Sequence, residues 1–374
     1  MEKKQGDLDE DMKDWKSLLR DGYSNVEQMK DILKFGEEEL QTLKEIQKKF
    51  PMFINPYYMS LMDPEDPEDP IRKMSIPGMM EASRLGSFDT SGEQSNTVMP
   101  GLQHKYKETA LILSTNRCAM YCRHCFRKRL VGVSEDEVFS HFDEIVRYIR
   151  DHKEISNVLV SGGDAFMNSN EMIGQILELL TDIEHLDLIR FGTRMPVVLP
   201  QRITTDPDLL DLLRKYESRK QICVVTQFNH PKEITTESTA AVKMLLETGI
   251  PVRNQTVLLK GVNDDAYVLG TLLRKLTRTG VIPYYIFQCR PVTGVMSSFQ
   301  VPLKKAYSIT AQALQMQNGQ GKCCRFVLSH QTGKIEALGI YENGEMLFKY
   351  HQAKDPADAG RIFTKEISDD QCWL

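Results

Sequence analysis

Short apolar, β-branched runs recur along the chain: ALILST at 110–115, NVLVSGGD at 157–164, DLIRFGT at 187–193, ICVVTQF at 222–228, VRNQTVLL at 252–259 and IPYYIFQC at 282–289. Each predicts a strand. Between them lie amphipathic patterns. Val138, Phe142, Ile145 and Ile149 share one helical face, and Ser134 with Glu137 forms a capping-box signature for the start of that helix. EMIGQILELL, DPDLLDLLRKY, ESTAAVKMLLE, AYVLGTLLRKL and LKKAYSITAQAL continue the alternation. A helix between two strands serves as a crossover and demands parallel pairing. Six such units predict an α/β fold, a partial (βα)6-type TIM barrel, with an open doubly wound sheet as the other arrangement that periodicity allows.

The flanks read differently. Val26, Met29, Ile32 and Leu33, then Leu40, Leu43 and Ile46, sit at helical spacing in a strongly charged segment and predict two amphipathic helices. MDPEDPEDPIRK at 62–73 has three prolines that each hold the preceding residue extended, which predicts a rigid, solvated loop. Near the other end, Glu342, Asn343, Gly344 and Glu345 predict a hairpin turn. The expected organisation is an N-terminal helical and Pro-rich extension (1–105), the barrel (106–330) and a C-terminal extension closing the site (331–374).

Composition narrows the class. With 374 residues and 41% hydrophobic content the chain can bury a large core. A net charge of -5 argues against nucleic acid or a membrane surface as partner, while leaving room for a small anionic ligand held by local arginines. No secretory leader or 18-residue apolar run is visible, and eight cysteines in so long a chain fit a reducing compartment. A cytoplasmic location is expected.

The unusual residues gather at the carboxyl ends of the expected strands, where α/β sheets place their ligands. The loop after the first strand carries Cys118, Cys122 and Cys125 directly before Arg127, Lys128 and Arg129. Three thiolates at this spacing can hold three corners of an iron–sulfur cube and leave the fourth iron open. Zinc is the alternative, though a structural zinc site closes with four ligands, and His124 lies awkwardly between two of the cysteines. Ser161-Gly162-Gly163-Asp164 ends the second strand; the glycines permit close backbone approach to a ligand, and Asp164 can accept hydrogen bonds from an ammonium group.

A CxxxCxxC on the first strand–helix loop is the signature of radical S-adenosylmethionine enzymes. Together CAMYCRHC, PYYMSLMDPEDPEDPIRK, SGGDA, TRMPVVLPQRI, FNHPKEIT, NQTVLLKGVND and PYYIFQC resemble the lysine 2,3-aminomutase family, whose members move an amino group between adjacent carbons. The resemblance runs from the N-terminal helices to about Cys289 and, more weakly, to Lys334. It implies a 4Fe-4S cluster on Cys118, Cys122 and Cys125, with S-adenosylmethionine held by Gly162, Gly163, Asp164, His230 and Gln255. It also implies pyridoxal phosphate carried by Lys334, with Tyr106 and Lys105 facing its phosphate. Arg127 matches the arginine that clamps the substrate carboxylate.

Two departures stand out. Thr109 occupies a position where many relatives have an arginine, and the approach to Lys334, Ser329-His330-Gln331-Thr332-Gly333, is shorter than theirs. Lysine-using members also place an acidic residue after Tyr-Gln-Cys and another shortly before the lysine; this chain has Arg290 and Ser329. A guanidinium would repel the ammonium of lysine, so the expected substrate is another amino acid, with an acidic one suiting Arg290 better. The implied partners are that amino acid, an electron donor such as flavodoxin or ferredoxin, and further copies of the chain as a homo-oligomer. Two other readings stay open: a radical enzyme of the same family without pyridoxal phosphate, and a non-catalytic zinc-binding protein.

Overall fold

The computed structural model describes residues 14–374; residues 1–13, where no leader was read, lie outside them. One sheet organises the described chain: β1 (Thr97–Met99), β2 (Leu102–Tyr106), β3 (Thr109–Thr115), β4 (Asn157–Gly162), β5 (Leu188–Gly192), β6 (Gln221–Thr226), β7 (Val252–Leu258), β8 (Ile282–Gln288), β9 (Arg325–His330), β10 (Gly333–Ile340), β11 (Glu345–Ala353) and β12 (Ile362–Glu366). These strands pair in strict sequence order. From β3 to β9 every pair is parallel, and antiparallel strands flank both sides. A doubly wound sheet reverses strand order at its switch point. This sheet never reverses, and β1 does not meet β12, so it is the wall of a partial barrel.

Six crossover helices cover the outside: α1 (Phe142–Asp151), α2 (Asn170–Thr181), α3 (Pro207–Glu217), α4 (Thr236–Glu247), α5 (Ala266–Arg278) and α6 (Leu303–Gln315). Their starts are written in the sequence. Ser169, Asp206, Thr235 and Asp265 each accept a first-turn amide, a contribution of about 1 kcal/mol per cap. Val158, Val160, Ile189, Phe191, Ile222 and Val224 on the strands, and Ile145, Ile149, Ile173, Leu177, Leu213 and Leu269 on the helices, are 0% exposed. Burial of each such side chain is worth about 1.5–3 kcal/mol.

Several expectations need correction. Helix α1 begins at Phe142, not at Ser134. The Ser134 hydroxyl accepts the Asp136 amide in a local turn, and the Glu137 carboxylate is drawn away by the Arg129 guanidinium. The charge-assisted pair outcompetes the capping box. The Pro-rich stretch is not a solvated loop throughout, because its end forms the helix Pro70–Ser75, capped by a fully buried Asp69. Of the two N-terminal helices, the second is Glu37–Lys49; the first is broken into a 3-10 turn, Val26–Met29, and a short helix, Lys30–Leu33, stopped by Lys34 at φ 54°. The hairpin at 341–344 joins β10 to β11 as expected. Strand β9 was not foreseen, since its apolar part, Phe326 to Leu328, is too short to stand out. No helix among the described residues is long and apolar enough to cross a membrane.

Candidate active site

The loop after β3 is held from outside by the segment 50–96. The Tyr121 amide donates to Phe53 O at 2.9 Å and the Arg123 amide to Met74 O at 2.8 Å. Asn55 Nδ2 ties Ala119 O (3.0 Å) to Val198 O (2.8 Å). The Arg123 side chain, 1% exposed, donates to Pro51 O, Phe50 O and both Glu81 oxygens. Here the basic run finds its partners. Lys128 pairs with Glu81 and donates to Gly294 O; Arg129 bridges Glu93 and Glu137. Burial pushes the Glu81 carboxyl up, but the Arg123 and Lys128 charges outweigh it and hold it below the usual range.

All three thiols of the loop are free. Burial pushes Cys118 well above the usual thiol range, and the charges of Asp164, Cys125 and Cys122 push the same way; burial, then Cys122, raises Cys125 to about 11. The three thus act on one another as near neighbours, and their thiolates call for a cation. Cys122 Sγ meets a temporary one, accepting from Arg194 Nη1 at 2.7 Å. Among the described residues no three Cys, His or carboxylate groups are drawn together tightly enough to enclose a metal ion. His124 is not a fourth ligand in waiting: its ring stands edge-on to Phe299 and its Nε2 lies 3.3 Å from Asn229 Nδ2. Three thiols with no fourth donor suit an open-iron cluster better than tetrahedral zinc.

Gly162 and Gly163 make a close approach, but to the chain itself. A Cβ on either would stand 2.3 Å from the carbonyl oxygen of Thr115 or of Arg117, and Gly162 has φ +117°, a conformation that favours glycine. Their role is to seat the end of β4 against the cysteine loop. Asp164 is enclosed behind them. Its Oδ1 accepts from the Phe166 amide and the Thr193 hydroxyl, and its Oδ2 from the Arg194 amide. His230 caps a short turn through Nδ1, which accepts the Lys232 amide, and burial pushes its ring down to about 4. Gln255 lies half-buried on β7, on the strand face opposite the buried Asn254 and Thr256.

Inside the barrel the structure brings together residues far apart in sequence. Lys334, at the start of β10, donates to Gln352 Oε1 at 3.1 Å. Its ammonium lies 5.4 Å from the Tyr106 ring and 5.2 Å from the Tyr285 ring. Burial, then the charges of Arg190, Lys105 and Arg290, lowers its pKa to about 7. Arg290 does not turn out to the surface: it donates to the Ser91 and Ser329 hydroxyls (2.9 and 2.8 Å) and lies 4.2 Å from the Phe126 ring. Arg127 lies against the same ring at 4.5 Å, 3.4 Å from Glu93. Lys105 donates to Ser91 O and His330 O, and burial followed by Arg290 lowers it to about 8. Burial raises the Tyr106 hydroxyl to about 12. A second concavity, lined by Arg274, Arg278, Met316 and Asn318, lies outside the barrel beside α5 and contains none of these groups.

Sequence reading missed four participants. Arg190 carried a signal, being a lone charge inside an apolar parallel strand. Glu93, Glu81 and Gln352 carried none, because only the fold brings them to the loop or the lysine.

Residues 112–268 match the model of the radical SAM superfamily. A putative L-lysine 2,3-aminomutase of Aquifex aeolicus is 39% identical over 92% of this chain and 92% of its own length. The L-lysine 2,3-aminomutase of Clostridium subterminale is 41% identical over 80% of this chain and 72% of its own. The glutamate 2,3-aminomutase of Clostridioides difficile is 38% identical over 76% of this chain and 67% of its own. With three thiols on the first strand–helix loop of a partial barrel, and relatives of this identity over most of their length, the chain belongs to the lysine 2,3-aminomutase family of radical S-adenosylmethionine enzymes.

Proposed function

We propose that the protein is an amino-acid 2,3-aminomutase that works with pyridoxal phosphate at Lys334 and takes an acidic amino acid in preference to lysine. The observation that carries this reading is the lining of the barrel. Lys334 has Arg190, Lys105 and Arg290 as its charged neighbours inside the barrel, Arg290 in turn is acted on by Arg127, and the carboxylates near them are Glu93, 3.4 Å from Arg127, and the more exposed Asp89. Such a space attracts a cofactor phosphate and a dicarboxylate, and repels a second ammonium. The names of the relatives do not choose between glutamate and lysine, since both kinds match at similar identity.

When bound, an iron–sulfur cluster on Cys118, Cys122 and Cys125 with S-adenosylmethionine supplies hydrogen abstraction from the substrate, and pyridoxal phosphate supplies a carrier for the migrating nitrogen. The chain's own residues do the rest. Burial and the neighbouring cations lower the Lys334 pKa to about 7, which favours the unprotonated amine that can add to a carbonyl, a known way of activating lysine beside other cations. Tyr106 and Tyr285 face it and shield it from water. In this reading Arg127 would hold the α-carboxylate, and Arg290, fixed by Ser91 and Ser329, the side-chain carboxylate. Phe126 keeps the two guanidinium groups apart.

The test is anaerobic incubation of reconstituted enzyme with S-adenosylmethionine, a reductant and 15N-labelled glutamate, aspartate or lysine, followed by NMR. Nitrogen should move from carbon 2 to carbon 3 of an acidic substrate and stay in place on lysine. Preferential turnover of lysine would sink the substrate assignment, and migration on no amino acid the whole reading.

A further inference from the structure

Arg190 sits in the middle of β5 between Ile189 and Phe191, both fully buried, so its side chain takes the opposite, interior face of the strand. Its neighbours in register are Leu159 on β4 and Cys223 on β6. Nη2 donates to Asn157 Oδ1 at 2.5 Å, and Asn157 Nδ2 donates onward to Thr109 Oγ1 at 3.1 Å and Glu108 O at 2.8 Å. This polar chain crosses three strands and reaches a hydroxyl and a carbonyl, never a carboxylate. Arg190 Nε is buried with no hydrogen-bond partner. Among the described residues Arg123, Arg129, Arg194 and Arg202 all have ion pairs; Arg190 has none.

A half-buried guanidinium with no carboxylate partner and a buried, unpartnered Nε is costly, and such a cost is recovered when an anion arrives. The other interior cations have partners or a proposed task of their own: Lys105 donates to two carbonyls, Arg290 to two hydroxyls, and Arg127, whose Nε likewise lacks a hydrogen bond, has Glu93 at 3.4 Å and is assigned above to the substrate carboxylate. Arg190 also heads the charges that depress the Lys334 amine, which makes it a near neighbour of that amine.

We infer that Arg190 anchors the phosphate of pyridoxal phosphate, its fork reaching the dianion from β5 across the chain that ends on Thr109. This rests on the preceding reading that Lys334 carries the cofactor. Guanidinium suits the task, since its parallel N–H groups match phosphate oxygens two at a time.

The experiment compares binding of pyridoxal phosphate with that of pyridoxal, which has the same aldehyde and no phosphate, to anaerobic cluster-loaded protein, following absorbance and the borohydride-fixed adduct on the Lys334 peptide. In Arg190→Gln, affinity for pyridoxal phosphate should fall on the order of 10- to 100-fold further than that for pyridoxal, which loses only the help Arg190 gives in keeping Lys334 unprotonated; Arg190→Lys should fall between. A parallel loss of both ligands would show that Arg190 only supports the sheet, and no loss of either would show that the phosphate is held elsewhere. Either outcome overturns the assignment while leaving Lys334 as carrier. A wild-type protein that forms no adduct on Lys334 would overturn both.

Discussion

At the scale of single residues, the site depends on two side chains whose surroundings change their chemistry. Lys334 has the first. An unperturbed lysine is protonated up to a pH of about 10.4, whereas burial and three cations bring this one to about 7. The protonated form has no lone pair, so addition to the cofactor aldehyde is slow below that pH and quickens as the proton leaves. The rate of pyridoxal phosphate uptake should therefore rise with pH, reach half its maximum near 7, and level off by about pH 8. A rate still climbing steeply above pH 9 would mean an ordinary, exposed lysine. Arg290 is the second. If Arg290 holds the substrate side chain as proposed, Arg290→Gln should lower kcat/KM for an acidic amino acid on the order of 10- to 100-fold, while pyridoxal phosphate is still taken up, with the pH midpoint of uptake displaced upward because one of the cations acting on Lys334 is gone. Loss of uptake instead would move Arg290 from substrate to cofactor. The cysteines and Arg290 were legible in the sequence because each is an odd residue at a strand end. Glu93, which faces Arg127 at 3.4 Å, was not, because nothing local marks a carboxylate that the fold will carry inward.

At the scale of elements, the cysteine loop is fixed from two sides. From within, Gly162 and Gly163 let β4 press onto it. In Gly162→Ala the new Cβ meets Thr115 O at 2.3 Å and the backbone is held at a φ that alanine disfavours, so stability should fall on the order of 3 kcal/mol; iron content after reconstitution reports whether the loop still holds a cluster. A normal melting temperature would show that the seat has slack. From outside, the N-terminal extension presents Glu81, 2% exposed, to Arg123 and Lys128. Glu81→Gln leaves two buried cations sharing no anion and should cost about 3–5 kcal/mol in chemical denaturation; a cost under about 1 kcal/mol would be that of a surface pair. These long-range pairs also explain the misread start of α1. Ser134 and Glu137 have the spacing of a capping box, but Arg129 bonds the glutamate before a helix can use it. Likewise the Pro-rich stretch reads as linker until Lys232, in the turn after β6, pairs with the buried Asp69 where Pro70–Ser75 docks.

At the scale of the whole molecule, the strand–helix rhythm specified the barrel wall well, since β3 to β8 each begin and end within about two residues of the apolar runs. What rhythm could not specify was closure. The antiparallel strands β10 and β11 matter because β10 delivers Lys334 opposite Tyr106 of β2, two residues 228 positions apart in a chain of 374. A chain with a net charge of -5 thus sets Arg190, Lys105 and Arg290 near Lys334, and Arg127 near Arg290. The proposal that Lys334, among these cations, carries pyridoxal phosphate stands or falls on reductive trapping. Anaerobically reconstituted protein is incubated with pyridoxal phosphate, treated with borohydride, digested and analysed by mass spectrometry. The account predicts a reduced pyridoxyl adduct on the peptide containing Lys334, and its absence in Lys334→Ala. An unmodified Lys334 peptide, or an adduct confined to other lysines, would contradict it.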